Sequence, residues 1–169
     1  MGQARNTSTV TVNSPDPMSD SSDISEATEY PGKELEAMSF AVNYHRWIVD
    51  EISPYLGNVV VEVGAGIGDL SSILLESDIS ELHAFEPSTN HFPSLQSRAG
   101  ELGNVSVVNG FFNKTSCPAN VDSVVYINVL EHIERDAEEL AEVHAALELG
   151  GNLVIFVPAL NWLFSDMDR

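Results

Sequence analysis

The stretch Val59 to Leu75, VVVEVGAGIGDLSSILL, limits what this chain can fold into more than any other part of it. Val59, Val60, Val61 and Val63 form a nearly continuous apolar run, as a parallel strand covered on both faces by helices requires. Gly64-Ala65-Gly66-Ile67-Gly68 and a short amphipathic run follow, so the segment reads as strand, glycine turn, helix. Glu62 places a charge at the carboxyl end of the buried strand, where it can reach the crevice in which ligands of open α/β sheets bind. Glycines there permit a tight turn and let a ligand approach backbone that carries no Cβ atoms. Asp69 stands at the helix start, where a carboxylate can cap free N–H groups and suits the positive end of the dipole.

The spacing separates two kinds of ligand. A dinucleotide fingerprint has its third glycine three positions after the second, but that position is Asp69 and the third glycine is Gly68. The pattern is E-x-G-x-G-x-G. A carboxylate closing the loop sits poorly beside a pyrophosphate, so a ligand with a cationic or zwitterionic end is the easier guest. The segment resembles motif I of the class I S-adenosylmethionine-dependent methyltransferases.

Length and charge narrow the reading further. A chain of 169 residues, 43% apolar, suits one domain with a real core. Seven basic against 26 acidic residues give a net charge of -19, which repels nucleic acid and anionic membrane surfaces. Only Lys33 and Lys114 are lysines, a composition consistent with a high-salt cytoplasm. The single cysteine, Cys117, lies in a polar loop before Pro118 and reads as an incidental thiol in a reducing compartment. No apolar run reaches membrane-spanning length and the amino terminus lacks a signal-peptide core, so a cytoplasmic protein is expected.

Residues 1–31 are rich in Ser, Thr, Asp, Asn and Pro and are expected to form a disordered tail, because they bury too little surface to offset ordering entropy. The folded domain is expected over 32–169. Leu35, Met38, Ala41, Val42, His45, Ile48, Val49 and Ile52 recur at helical spacing until Pro54. Tyr44 and Trp47 lie in that helix, either to close over a cofactor or to pack on the sheet. After the glycine turn a helix runs from Asp69 to about Ser77, and a second strand, Glu81 to Phe85, ends at Glu86-Pro87. Glu86 is eighteen positions beyond Gly68, where an acidic residue at a strand tip can accept two hydrogen bonds from a ribose diol. A short helix near Pro93 to Ala99 and a strand from Val105 to Val108 come next.

Val121 to Ile127 reads as a buried fourth strand with Asn128 at its carboxyl end. The run Asn128-Val129-Leu130-Glu131-His132-Ile133 resembles the segment that follows strand four in many small-molecule methyltransferases. Ile133, Ala137, Leu140, Ala141, His144 and Leu147 share a helix face that Gly150-Gly151 terminates, with His144 read as structural. Leu149 to Pro158 resembles the family's glycine pair and fifth strand.

Carried through, the resemblance implies a Rossmann-like, doubly wound, mainly parallel sheet of order 3-2-1-4-5 without the family's strands six and seven. It implies S-adenosylmethionine as cofactor, with contacts from Glu62, Gly64, Ala65, Gly66, Gly68, Glu86, Pro87, Phe111, Asn128 and Tyr44. The family often has an acidic residue after strand three to read adenine; here Asn109-Gly110-Phe111-Phe112-Asn113 stands, so Phe111 or Phe112 would pack on the ring and Asn113 would hydrogen-bond to it. His132 carries an imidazole, the side-chain type suited to a general base near neutral pH, and either takes that role or only orders the start of its helix. No His, Cys or carboxylate cluster shows metal-ligand spacing, although Glu131-His132 could contribute to a site completed elsewhere, and no metal is expected. The acceptor is a small molecule, a lipid-linked intermediate or a saccharide. A bare strand-five edge, bordered by Leu160, Trp162, Leu163 and Phe164, implies self-association. A non-catalytic cofactor-binding fragment stays open as an alternative, and an NAD-dependent oxidoreductase as a distant one.

Overall fold

A computed structural model describes residues 42–158. The tail, the beginning of the first helix, and Leu160 through Phe164 lie outside the described residues. Helix α1 (Val42–Ile52) precedes β1 (Val59–Val63), α2 (Asp69–Leu74), β2 (Glu81–Glu86), α3 (Phe92–Leu102), β3 (Val105–Asn109), β4 (Val121–Ile127), α4 (Asp136–Ala146) and β5 (Leu147–Phe156). All pairings are parallel, and the strand order is β3-β2-β1-β4-β5. This is the expected doubly wound arrangement. β1 lies at its centre, between β2 and β4.

Strand periodicity divides the core into two layers. Val60 of β1, Leu82 and Ala84 of β2, Val107 of β3 and Val125 of β4 face one side, with Ile48 and Ile52 of α1, Ile73 and Leu74 of α2, and Leu95 and Ala99 of α3. Val61 and Val63, Phe85, Val124 and Tyr126 face the other, with Phe112 and Val143. Burial on both faces is what selected the near-continuous apolar runs of β1 and β4. Two side-chain links fix how β1 enters the sheet. Ser123 Oγ accepts from Gly57 N at 2.9 Å and donates to Tyr55 O at 3.1 Å, while Asp122 Oδ2 accepts from Asn58 N and Val59 N at 3.0 and 2.9 Å.

Several element boundaries differ from the sequence expectation. Helix α2 stops at Leu74 rather than Ser77, and α3 extends to Leu102. Helix α4 ends at Ala146, so Leu147 belongs to β5 and Gly150-Gly151 lies within that strand, with Gly150 at φ 90°. The proposed helix face is also rotated: Val143 is its buried residue, whereas Ala137, Ala141 and His144 are exposed, so His144 is not a core residue. Asp69 does not cap α2. The cap position is Gly68, and the Asp69 carboxylate instead pairs with the Arg98 guanidinium of α3, a cation whose position the sequence order did not disclose.

Candidate functional site

The carboxyl ends of β1, β2 and β4 converge on the glycine turn. Gly64 N and Ala65 N both donate to Phe85 O, at 2.9 and 3.0 Å, which clamps the turn to the end of β2. Gly68 N closes the loop onto Ala65 O at 2.9 Å. The first glycine is required by packing as well as by conformation. Its φ is +75°, and a Cβ there would lie 2.5 Å from Val129 Cγ2. The side chain that follows β4 therefore occupies the space a Gly64 side chain would need, and this contact joins the two sequence motifs physically.

Glu86 is the best-defined acidic group of the site. It is 5% exposed at the end of β2. Its Oε2 accepts from Gly66 N at 2.7 Å and its Oε1 from Ser88 N at 2.8 Å. Each carboxylate oxygen has a further lone pair, so two acceptor positions persist beside the glycine loop. The Glu86 backbone carbonyl accepts from Asn109 Nδ2 at 2.9 Å and Gly110 N at 3.1 Å, holding the strand ends in register. His91, also buried, brings Nδ1 within 3.9 Å of Glu86 Oε1. Pro87 lies between Glu86 and Ser88, partly exposed.

Glu62 is 2% exposed, and its Oε2 accepts from Ser71 Oγ at 2.5 Å. Burial pushes its carboxyl up to about 8; the Ser71 hydrogen bond opposes the rise and the charge of Glu86 adds to it. Glu62 is therefore largely protonated at neutral pH in the free chain. Ala65 and Gly66 are buried within the turn. On α1, His45 has an Nδ1 atom that is buried without a hydrogen-bond partner, and burial lowers its pKa against the opposing charge of Asp69.

The other expected site residues separate into two groups. Asn128 lies at the end of β4 with φ 55°, and its N–H donates to Phe156 O at 2.7 Å, so β5 holds it in a left-handed conformation that asparagine tolerates better than most residues. Phe111 is 51% exposed beyond β3, whereas Phe112 is buried edge-to-face on Phe85 at 5.5 Å between ring centroids. The alternative of Phe112 as a ring platform is thereby removed, since it belongs to the core. Asn113 is likewise engaged elsewhere, accepting from Ser116 N at 2.9 Å and Thr115 Oγ1 at 2.7 Å. Tyr44 packs with Trp47 and Phe156, at 6.1 and 6.3 Å, and against the core cluster that includes Ala65. His132 closes a 3-10 turn, Leu130–His132, immediately after β4, and is exposed.

Sequence reasoning missed Ser71, Ser88, His91, Asn109 and Val129. Ser88 had a local signal, two residues after the acid that it bonds. Ser71 and Val129 meet Glu62 and Gly64 only through the folded topology. Cys117 is half-buried, and burial with the nearby Glu142 charge pushes its thiol up to about 11, so it stays a thiol near neutral pH. Among the described residues no three His, Cys, Asp or Glu side chains gather as metal ligands, and no helix is long and apolar enough to cross a membrane.

Comparison with solved structures identifies the same architecture. A candidate S-adenosyl-L-methionine-dependent methyltransferase of Methanococcus maripaludis superposes with a TM-score of 0.62 at 17% identity, over 81% of this chain and 67% of that one. The YcgJ protein of Bacillus subtilis gives 0.57 at 17% identity, over 67% of this chain and 50% of that one. Phosphoethanolamine N-methyltransferase 1 of Haemonchus contortus, solved with phosphoethanolamine and S-adenosylhomocysteine, gives 0.55 at 21% identity, over 70% of this chain and 26% of that one. The chain thus spans between about a quarter and two thirds of these structures' own length. No curated protein matches it significantly. Residues 61–153, more than half of the 169, match the family described as "Methyltransferase domain". With the motif order, the 3-2-1-4-5 sheet and this match in agreement, the chain belongs to the methyltransferase domain family of class I S-adenosylmethionine-dependent enzymes.

Proposed function

We propose that this chain binds S-adenosylmethionine at the carboxyl end of β1 and β2 and transfers its methyl group to a small-molecule, lipid-linked or saccharide acceptor. The observation that carries the reading is Glu86: a buried carboxylate held by two backbone N–H groups, with acceptor capacity left over beside a glycine loop. That capacity suits the two hydroxyls of a ribose. Glu62, a buried acid with no basic partner among the described residues, suits an α-ammonium group, and the turn Gly64, Ala65, Gly66, Gly68 would bring backbone against the methionine portion. Pro87 and the exposed Phe111 ring would hold the adenine, Asn128 would border the transfer face, and Tyr44 would close that side from α1. The residues present therefore fit the cofactor.

When bound, the cofactor supplies an electrophilic sulfonium methyl carbon. The chain contributes positioning, exclusion of water and a base. His132 is assigned as that base, and would take the proton of an acceptor hydroxyl or amine. A His132→Gln chain should bind S-adenosylhomocysteine normally and lose turnover with every acceptor the parent methylates; unchanged turnover rejects the role. A net charge of -19 disfavours polyanionic acceptors, and the single cysteine fits a cytoplasmic setting.

A cofactor-binding chain without transferase activity is the second reading. Saturable binding of S-adenosylhomocysteine with no methyl transfer to any acceptor panel would support it. Leu153 and Ile155 on β5 and Val157 just after it are exposed and support self-association, which sedimentation over a concentration series tests.

A further inference from the structure

Glu62 presents an unusual electrostatic situation. It is enclosed between α2 and the sheet, its neighbours on β1 are Val61 and Val63, and its hydrogen-bond donor is the neutral hydroxyl of Ser71. None of the ion pairs among the described residues includes it. The one charge that acts on it, Glu86, has the wrong sign, and the cations of the surrounding elements lie beside other carboxylates. Arg98 of α3 is paired with Asp69 at the start of α2, His45 of α1 faces that same Asp69, and His91 lies beside Glu86 of β2, whose own charge acts unfavourably on Glu62. A buried carboxylate with no cation is costly, so the free chain keeps the group neutral by retaining its proton. A ligand ammonium placed there would reverse the balance, because an ionised carboxylate beside a cation is the favoured state.

We propose that cofactor binding is proton-coupled at Glu62: the α-ammonium group of the incoming ligand replaces the proton on the Glu62 carboxyl, and that proton leaves to solvent. The ammonium keeps its three protons, the carboxyl oxygen loses one, and the buffer gains it. The inference rests on the cofactor reading above and adds a property of the site, namely that affinity depends on pH through a buried acid rather than through an exposed histidine. Ser71 tunes the exchange, since its hydroxyl stabilises the ionised form of Glu62.

The test is calorimetric titration of the full chain with S-adenosylhomocysteine in buffers of different ionisation enthalpy, which reads protons released per ligand bound. At pH 7 the parent chain should release about one proton, and its apparent affinity should rise roughly tenfold per pH unit toward the Glu62 transition from the acid side. Glu62→Gln should bind with no proton release over the same range. Ser71→Ala should move the transition to higher pH, a readout independent of whether the Gln variant folds. Binding by the parent chain with no proton release, or Glu62 titrating in the ordinary carboxylate range by carbon-detected NMR of the free chain, overturns the proposal while leaving the cofactor reading intact. Absence of S-adenosylhomocysteine binding at every pH overturns both.

Discussion

Replacing Gly64 by alanine tests whether the two ligand-facing turns of this sheet are held together by direct packing. Two costs add at this position. An alanine at φ +75° occupies left-handed space, which is unfavourable by about 1–2 kcal/mol for a residue with a Cβ. The new methyl would also lie 2.5 Å from Val129 Cγ2 and 2.9 Å from Cγ1, an overlap that forces repacking and costs about 1–3 kcal/mol more. The total, about 2–5 kcal/mol, is a large share of the roughly 5–15 kcal/mol typical of a domain. Urea unfolding of the parent chain, Gly64→Ala, Val129→Ala and the double variant reads these terms separately. Val129→Ala removes the overlap but leaves the backbone strain, so the pair should show a favourable coupling of about 1–3 kcal/mol. A loss below about 1 kcal/mol in Gly64→Ala, or no coupling with Val129→Ala, would refute the packing argument.

Three further outcomes follow from other buried groups. Glu62 has a folded pKa raised to about 8, so its neutral form contributes stability that is fully present below its unfolded pKa and lost as pH rises through about 8. In the free chain, Glu62→Gln should therefore gain stability relative to the parent between about pH 5 and pH 9, by up to about 5 kcal/mol, and a pH-independent difference in thermal unfolding would refute this. Tyr126→Phe deletes the 2.8 Å hydrogen bond to Glu139, whose carboxyl is itself raised by partial burial; chemical denaturation should show a loss of about 1–2 kcal/mol, and no loss would show that the bond is replaced by water. Ser123→Ala leaves Gly57 N and Tyr55 O without its hydroxyl, and amide exchange of Gly57 should accelerate along with a loss of about 1–3 kcal/mol; unchanged exchange would mean that other contacts hold this entry to β1.

The sheet was legible because its signals are local. Four valines around Glu62 specify a doubly covered strand, Val121–Ile127 repeats that signal with matching bounds, and the glycine turn marks where the crest of the sheet lies. Glu86 was legible for the same reason, as an acid at the tip of an apolar strand. What could not be read were the contacts made across the topology. Ser71 reaching Glu62 and Val129 filling the space beside Gly64 depend on which elements become neighbours. Asp69 was misread because the helix-capping rule competes with an ion pair, and Arg98 lies 29 residues away in a different helix. The Phe111-Phe112 pair shows the limit of pattern reading most plainly: two adjacent phenylalanines at a strand exit diverge, one into the core against Phe85 and one toward solvent. The end of α4 was misplaced because Gly150-Gly151 carries a helix-stop signal, whereas the backbone had already turned into β5 at Leu147.

The central claim is that Glu86 and the glycine turn form an S-adenosylmethionine site. Its most direct test is titration of the chain with S-adenosylhomocysteine beside NADH, repeated with Glu86→Ala. The account predicts saturable binding of S-adenosylhomocysteine alone, weakened at least about tenfold in the variant, because two hydrogen bonds to a charged acceptor are each worth about 1.5–3 kcal/mol. Binding that is unaffected by Glu86→Ala, or binding of NADH in preference to S-adenosylhomocysteine, would contradict it.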